Sequence, residues 1–342
     1  MKIKNIYYSP YRNSLKQSFY NAKNKYSYKE GLIVELHSSN SMIGYGEASP
    51  LIGFSKETIK EINWGIESFI AAIELNYNYS LDELLNLVEI HCHNLSSLHF
   101  ALDTAIYDLV GKIQKRPICK ILNKESAQVI EFSNIYMPNN NTQPNENNIM
   151  KYKLGVNTTN QDIEILNTLI ENNPSVKFRF DANRCYDKED FIRIIHQLKK
   201  FKIDYFEEPL KKLSKYALIQ IKNKLSVKIA IDESLYDGTN YVSWIENNLI
   251  DTVIIKPSIF GSYKKNFELF EKCKRYNINL ILSSALENSI GNMATIHLAA
   301  SINNKLAHGL NIHNFYNDFM YTPIYKENDS SINISKLIGL GI

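Results

Sequence analysis

Four ionisable residues end successive short apolar runs at a nearly constant interval. Asp181 ends KFRFD, Glu207 ends DYFE, Asp232 ends KIAID and Lys256 ends VIIK, so neighbouring members lie 26, 25 and 24 residues apart. Helical periodicity fills most of the segments between the runs, for example KEDFIRIIHQLKKF. One strand and one helix per interval is typical of a parallel sheet, in which all four residues reach the same edge.

The whole region from residue 126 to 320 repeats this pattern. Its eight apolar runs are QVIEFSNIYM, IMKYKLGV, VKFRFDAN, IDYFEEPL, VKIAIDES, DTVIIKPS, INLILSSALE and HGLNIHNF. No Gly-rich phosphate loop comes after the first run, which favours a closed (β/α) barrel over an open sheet. The polar stretch 137–148 (MPNNNTQPNENN) is predicted to be a loop.

The first 125 residues have a different organisation. Strand-like patterns occupy residues 1–50, and helical periodicity extends from about 56 to 124. Strands followed by helices indicate a small α+β domain. We predict this domain at 1–125, completed by the irregular segment at about 321–342, and the barrel at 126–320.

Composition narrows the functional class. A formal net charge of +3, from 39 basic and 36 acidic residues without a basic block, makes nucleic acid an unexpected partner. No apolar run approaches the length of about 20 residues that spans a bilayer, and the N-terminus is too polar for a signal peptide. The four scattered cysteines indicate neither disulfides nor a zinc site. We therefore expect a cytoplasmic protein; homo-oligomerisation is left open.

The three strand-end carboxylates suggest a metal site. Asp181, Glu207 and Asp232 would repel one another on adjacent strands unless a cation lay among them. Oxygen donors favour Mg²⁺, with Mn²⁺ as the alternative. Single acids at such positions usually cap the next helix, but three in phase favour the metal interpretation.

Two further lysines flank Tyr152 in the run IMKYKLG. Lys151 and Lys153 point to the same face of a strand, where each would lower the pKa of the other. A lysine with a lowered pKa can act as a base. The alternative is a frayed strand whose lysines reach solvent, but Lys256 on the same barrel favours proton transfer beside a metal.

These motifs resemble a known group of enzymes. KYK, FDAN, FEEP, IDES and IKPS are similar, in order, to the motifs of the muconate-lactonizing subgroup of the enolase superfamily. The resemblance implies a modified (β/α)7β TIM-type barrel with an N-terminal α+β capping domain. It also implies Mg²⁺ and a small-molecule carboxylate substrate.

Within this subgroup the chain most resembles the o-succinylbenzoate synthases of menaquinone biosynthesis. GYGEASPLIGFSKET is similar to their capping-domain loop and SSALENSIG to their seventh-strand motif. The resemblance implies syn-dehydration of 2-succinyl-6-hydroxy-2,4-cyclohexadiene-1-carboxylate to 2-succinylbenzoate.

The same resemblance implies a role for each site residue. Lys153 would be the base and Lys256 would stabilise the enolate, while Lys151 and Arg179 would adjust Lys153. The metal ligands would be Asp181, Glu207 and Asp232, with Glu208 and Glu233 beside them. The predicted substrate-binding residues are Ser283, Ser284, Arg179, Gly53 and Phe54.

Other functions stay open at this point. N-acylamino acid racemases and dipeptide epimerases carry out 1,1-proton transfer with the same pair of lysines. The eighth run, GLNIHNF, lacks the Asp-x-Asp pair typical of the dipeptide epimerases, which weakens that alternative, but it is not a strong match to the synthases either. A Schiff-base aldolase would need one lysine but not three carboxylates, and a non-catalytic barrel would need none of these residues.

Overall fold

A computed structural model gives the fold. It describes residues 1–20, 25–135, 149–155, 157–198, 202–313, 315–316, 318–327 and 329–342. The chain forms two compact units. The first unit comprises 1–131, 256–269 and 282–342, and the second comprises 132–255 and 270–281.

The first unit begins with an antiparallel three-stranded sheet in the order β1-β2-β3, formed by β1 (Ile3–Tyr20), β2 (Lys25–Ser38) and β3 (Ile43–Ala48). Leu32, Val34 and Leu36 alternate along β2 and are buried in the core of this unit. Period-two burial of this kind turns one face of the sheet toward the helices that come next in the chain.

Four helices continue the first unit: α1 (Ile59–Ala72), α2 (Leu81–His91), α3 (Ser96–Gln114) and α4 (Ile118–Leu122). Capping boxes start α1 at Thr58 and α2 at Ser80, where the hydroxyl and a glutamate three residues later satisfy free backbone N–H groups. Most of α3 is buried, so this helix is the centre of the unit.

Strand β3 lies unusually close to α3. A Cβ atom on Gly46 would overlap the carbonyl oxygen of Ala101, and one on Gly44 would overlap that of Ala105. Both neighbours are helix backbone, which cannot move aside as a flexible side chain can. The two glycines therefore permit the contact between β3 and α3.

The remaining strands are β4 (Val129–Glu131), β5 (Asn134–Ile135), β6 (Ile149–Lys153), β7 (Lys177–Asp181), β8 (Ile203–Glu207), β9 (Ile229–Ile231), β10 (Thr252–Ile255), β11 (Asn279–Leu282) and β12 (Ser331–Asn333). Seven of them form one sheet in the order β11-β10-β9-β8-β7-β6-β5. The pairings from β5 through β10 are parallel.

From β6 onward, helices separate successive strands along the chain. They are α5 (Thr159–Asn172), α6 (Lys188–Gln197), α7 (Lys215–Lys224), α8 (Tyr241–Glu246), α9 (Pro257–Phe260), α10 (Tyr263–Arg275) and α11 (Ser289–Ile302), with a 3₁₀ turn at Glu233–Leu235. None of the helices within the described ranges has the length and apolarity needed to cross a membrane. The alternation of strands and helices, beside a separate antiparallel sheet, confirms the predicted fold class: a TIM-type (β/α) barrel with a capping domain.

The first and eighth predicted barrel strands differ from expectation. The first run divides, because β4 pairs antiparallel with β12 whereas β5 pairs parallel with β6. The eighth run forms no regular strand among its described residues, and only an isolated bridge joins Gly309 to Ser283. Side chains bind its backbone instead, since Asn292 and Tyr325 both donate to the carbonyl of Leu310. The predicted loop at 137–148 lies outside the described residues.

Candidate active site

The register of the second unit's sheet aligns three of the predicted site residues. Lys153 at the end of β6 pairs with Asp181 at the end of β7, and Asp181 pairs with Glu207 at the end of β8. Glu207 pairs in turn with Ala230, two residues before Asp232. Parallel pairing therefore brings these strand ends to a single edge of the sheet, as the regular spacing predicts.

The ammonium of Lys151 lies between two of the carboxylates. Its Nζ is 2.8 Å from Oδ2 of Asp181 and 2.8 Å from Oε2 of Glu207. It also donates a hydrogen bond to Oε1 of Glu207 at 2.9 Å. Lys151 therefore acts as an internal counter-ion for the acids of this edge.

Burial and charge affect the two lysines in opposite directions. Burial opposes protonation of Lys151, but the charges of Asp181 and Glu207 outweigh it and hold its pKa well above the ordinary value. For Lys153, burial together with the nearby Lys151 charge lowers the pKa despite the attraction of Asp181. The Lys151 charge thus lowers the pKa of Lys153 as expected, whereas the pKa of Lys151 itself is dominated by its two carboxylate partners at 2.8 Å.

One ammonium does not compensate all of the negative charge. Burial and the charge of Asp181 raise the pKa of Glu207, which is fully buried, even with Lys151 beside it. The charge of Asp232 acts on Glu207 in the same direction. The carboxylates at this edge of the sheet therefore repel one another more strongly than the Lys151 ammonium compensates.

The three acids could hold a divalent metal ion. No group of three or more His, Cys, Asp or Glu side chains in the described part of the chain is already spaced as a metal site. At this edge, the Lys151 ammonium lies between Asp181 and Glu207. By chemistry, however, the residues fit the ion, because the donors are all carboxylate oxygens, which are the ligands that Mg²⁺ prefers.

A second set of residues supports the loop that carries Asp232. One carboxylate oxygen of the buried Glu208 accepts hydrogen bonds from the backbone N–H groups of Asp232 and Ser234, at 3.0 and 2.8 Å. Its other oxygen accepts from Nε of Arg184 at 2.9 Å, and Arg184 also pairs with Asp237 at 2.7 Å. The motifs predict Glu208 beside the metal ligands but do not predict Arg184, for which the position directly after FDAN was the only signal.

The remaining predicted residues lie mainly in the first unit. Lys256 belongs to that unit, where its Nζ lies 4.4 Å from the ring centre of Phe54. Gly53 adopts a φ of 86°, which favours glycine at that turn. The hydroxyl of Ser284 donates to Glu287 at 2.6 Å, and Ser283 is bridged to Gly309.

Arg179 is oriented toward a partner that the sequence motifs do not indicate. The side chain is buried in the second unit, and its Nε donates to Oδ2 of Asp204 at 2.9 Å. Its guanidinium also lies 5.3 Å from the ring centre of Tyr205. Its role in substrate binding stays a prediction.

Two family models match this chain. The family described as "Enolase C-terminal domain-like" matches residues 145–342, which is more than half of the sequence. The family described as "MenC, N-terminal domain" matches residues 2–108. Together they cover both the N-terminal domain and the strand-end motifs.

Relatives with different activities share similar identities with this chain. A hydrophobic dipeptide epimerase from Enterococcus faecalis is 25% identical over 314 residues, which are 89% of this chain and 88% of the relative. An o-succinylbenzoate synthase from Vibrio cholerae is 27% identical over 272 residues, which are 78% of this chain and 76% of the relative. These identities do not separate the two reactions.

Solved structures share the fold. A dipeptide epimerase from E. faecalis, in complex with Mg and the dipeptide L-Leu-L-Tyr, superposes with a TM-score of 0.85 at 23% identity, covering 100% of this chain and 99% of the other. An N-succinyl Arg/Lys racemase from Bacillus cereus gives 0.84 at 19% identity, covering 100% and 95%. From its motifs, its fold and the match over residues 145–342, the chain belongs to the enolase superfamily of enzymes.

Proposed function

We propose that the protein is an o-succinylbenzoate synthase, a lyase that dehydrates 2-succinyl-6-hydroxy-2,4-cyclohexadiene-1-carboxylate in menaquinone biosynthesis. The observation that carries this choice is the chemistry of residues 308–316. This segment contains no Asp or Glu, so it offers no carboxylate to bind the ammonium group of a dipeptide. The dehydration substrate carries carboxylates and no ammonium.

Two polar residues of this segment are engaged with the chain itself. The side-chain amide of Asn311 donates to the carbonyl of Glu327 at 2.8 Å. The ring Nε2 of His313 lies 2.6 Å from the carbonyl oxygen of Tyr325. Both contacts hold the segment in place, and neither side chain offers a negative charge to a substrate.

Similarity supports the proposal independently. The capping-domain loop GYGEASPLIGFSKET resembles that of the synthases, and the match to "MenC, N-terminal domain" includes this loop. A second synthase, from Thermosynechococcus vestitus, is 25% identical over 296 residues, which are 84% of this chain and 86% of the relative.

Lys153 is the base in the proposed reaction. Its lowered pKa makes the neutral amine more available than that of Lys151, whose raised pKa keeps it an ammonium. The Lys153 amine removes the proton on the ring carbon that bears the carboxylate, which leaves an enolate. The resulting ammonium returns that proton to the departing hydroxyl group, so that water leaves and the ring becomes aromatic.

The other charged residues stabilise the enolate in this proposal. Asp181, Glu207 and Asp232 would hold Mg²⁺, which when bound supplies Lewis-acid stabilisation to the carboxylate as it becomes a dianion. Lys151 keeps Asp181 and Glu207 in position through its two ion pairs. Lys256 is assigned the stabilisation of the enolate by an ammonium charge.

Substrate binding in the proposal falls to residues that carry no carboxylate. Gly53 and Phe54 come from the loop after β3, and Ser283 and Ser284 come directly after β11. Arg179 is assigned with them, although its ion pair with Asp204 favours a supporting position. The hydroxyl proton of Ser284 is already donated to Glu287, so in the proposal Ser284 shapes the segment beside the substrate.

A dipeptide epimerase is the second candidate. The Enterococcus faecalis enzyme matches 89% of this chain, more than the Vibrio cholerae synthase does. The same base would then remove the α-proton from one face, and a second lysine would donate a different proton to the opposite face. This reaction conserves the substrate's composition, whereas dehydration releases water.

One paired assay separates the candidates. Purified protein with Mg²⁺ is incubated with the cyclohexadiene carboxylate, and formation of the aromatic product is monitored by ultraviolet absorbance. In parallel, N-acylamino acids and L-Leu-L-Tyr are incubated in D₂O, and loss of the α-proton signal is monitored by NMR. The proposal predicts rapid dehydration of the cyclohexadiene carboxylate. Exchange of the α-proton without any dehydration would contradict the synthase and favour an epimerase or racemase.

A further inference from the structure

Lys29 is a buried lysine at the centre of a hydrogen-bond network in the first unit. Only 3% of the residue is exposed, on β2, whereas lysines in proteins are almost always solvated. Its Nζ donates to the carbonyl oxygens of Ser49, Pro50 and Ala285, at 3.1, 2.8 and 3.0 Å. A neutral amine has only two N–H groups, so three carbonyl acceptors require the ammonium form.

The surrounding acids favour that charged form. Burial lowers the pKa of Lys29 to about 8, and the charges of Glu287, Glu47 and Glu57 oppose this effect. Glu30 adds a smaller contribution in the same direction. The buried ammonium therefore combines backbone hydrogen bonds with the longer-range attraction of these carboxylates.

Glu287 extends the network to one further segment, at Ser258, and adds contacts within the segment of Ala285. Its carboxylate accepts hydrogen bonds from the hydroxyl of Ser258 at 2.5 Å and from that of Ser284 at 2.6 Å. It also accepts from the backbone N–H of Ala285 at 2.8 Å, the residue whose carbonyl binds Lys29. The two side chains thus fix opposite ends of one residue's backbone.

Glu47 closes the network from β3. Its carboxylate accepts from the hydroxyl of Tyr11 at 2.5 Å and from the backbone N–H groups of Asn288 and Gly291, at 2.7 and 2.8 Å. The Tyr11 hydroxyl also lies 3.0 Å from Oγ of Ser49, whose carbonyl binds Lys29. Residues far apart in the chain are therefore joined by side-chain contacts to backbone.

Three segments held by this network carry predicted site residues. Ser49 and Pro50 precede the turn at 51–55, where the backbone N–H of Phe54 donates to Leu51 at 3.0 Å. Ser258 lies two residues after Lys256, whose amine faces the Phe54 ring. The segment at 283–287 contains both predicted substrate-binding serines.

We propose that Lys29 is a positioning residue that sets the arrangement of segments 49–55 and 283–287. It acts through their backbone carbonyls, with Glu287 linking them to Ser258, and does not contact substrate. Burying an ammonium costs free energy, and an apolar side chain at this position would not carry that cost. We therefore assign Lys29 the role of holding the three carbonyl groups in a specific geometry. The assignment of these segments to substrate binding rests on the proposed function.

The test compares Lys29→Met with Lys29→Arg. Methionine removes all three donors at similar volume, whereas arginine keeps the charge and donors. Lys56→Met is the matched control, because Lys56 is exposed and comes directly after the same turn. Hydrogen–deuterium exchange, thermal unfolding, kcat and KM are measured for all four proteins, using whichever substrate the wild type turns over.

The proposal predicts a local and kinetic change. Lys29→Met should exchange faster at 49–55 and 283–287 than elsewhere in the unit, and its KM should rise by about tenfold while kcat changes less. Lys29→Arg should restore KM to within about threefold, and Lys56→Met should match the wild type. Native exchange at both segments, or faster exchange spread evenly over the unit, would overturn the proposal.

The outcomes also distinguish this inference from the proposed function. A wild type that turns over none of the substrates would contradict the function alone, since the exchange pattern of Lys29→Met still decides whether the lysine holds the two segments. Active wild type with unchanged KM in Lys29→Met would contradict the positioning role alone.

Discussion

Lys151 and Lys153 are separated by one residue but have different environments. Lys151 is paired with two carboxylates at 2.8 Å, and its pKa is raised despite burial. Burial and the Lys151 charge lower the pKa of Lys153. One position therefore supplies a permanent cation and the other an amine suited to proton transfer.

Replacing Lys151 should increase the protein's dependence on a divalent cation. Lys151→Met leaves Asp181 and Glu207 without their ammonium, which should lower the free energy of unfolding by about 3 kcal/mol in chelator. Mg²⁺ should recover most of that loss and raise the melting temperature more than in the wild type. Thermal unfolding with EDTA and with Mg²⁺ measures both effects.

Lys228→Met, at an exposed position before β9, serves as the control for this comparison. If Mg²⁺ raised the melting temperature of the wild type and of Lys151→Met equally, Lys151 would not be an internal counter-ion.

Asp103, which lies outside the candidate active site, should make the free energy of unfolding depend on pH. Burial raises its folded-state pKa from 3.8 to about 7, although it accepts a hydrogen bond from the N–H of Tyr263 at 2.8 Å. Folding favours the protonated form of Asp103. The contribution of Asp103 to the free energy of unfolding is therefore largest below about pH 4, and it is lost as the pH rises through 7. His99 at 3.7 Å is mostly uncharged above about pH 5, because burial lowers its pKa to about 4.

Asp103→Asn should remove this dependence. Relative to the variant, the wild type should lose unfolding free energy on the order of 3 kcal/mol between pH 4 and 7, since one pKa unit corresponds to about 1.4 kcal/mol. Urea unfolding at intervals across this range measures the difference, with Asp82→Asn at an exposed position of α2 as control. A constant difference between Asp103→Asn and the wild type would be inconsistent with a buried neutral acid.

Among the elements, the contact of β3 with α3 is the least tolerant of added volume. Gly46→Ala should lower the free energy of unfolding by more than about 2 kcal/mol, because the new methyl group meets the helix backbone at Ala101. Gly65→Ala in α1 is the matched control. Its methyl group meets only the ends of two leucine side chains, and alanine favours a helix by about 1 kcal/mol. Chemical denaturation measures the free energy of unfolding of both variants. A similar decrease in Gly46→Ala and Gly65→Ala would contradict the close approach of β3 to α3.

Local patterns predict the strand ends well. The 26- and 25-residue intervals contain one strand and one helix each, and parallel register then aligns Lys153, Asp181 and Glu207. The class of fold is predicted by the same alternation. These features depend on periodicity and spacing, which a single sequence displays.

Features that depend on distant partners could not be predicted. The eighth run has an apolar pattern, yet the side chains of Asn292 and Tyr325 bind its backbone in place of a strand ladder. Lys29 occupies an ordinary polar position in a strand pattern, although its ammonium binds a carbonyl 256 residues away. No local rule indicates which side chain will satisfy a remote backbone group.

For the whole molecule, the match over residues 145–342 identifies the superfamily, and the dehydration reaction is a proposal. Epimerases and racemases share this fold, with TM-scores of 0.85 and 0.84 for one of each at 23% and 19% identity. The fold alone therefore does not determine which reaction this chain catalyses. In the proposed function, the residues at 308–316 and in the capping domain distinguish a synthase from an epimerase.

The rate of dehydration by the wild type and by Lys153→Ala, at saturating Mg²⁺, tests whether Lys153 is the base of this reaction. Lys228→Ala controls for the loss of a lysine at an exposed position. The proposed mechanism predicts turnover by the wild type and the control, and a decrease of at least about a thousandfold for Lys153→Ala with an unchanged melting temperature, because both proton transfers use that amine. Turnover by Lys153→Ala at the wild-type rate would contradict the mechanism.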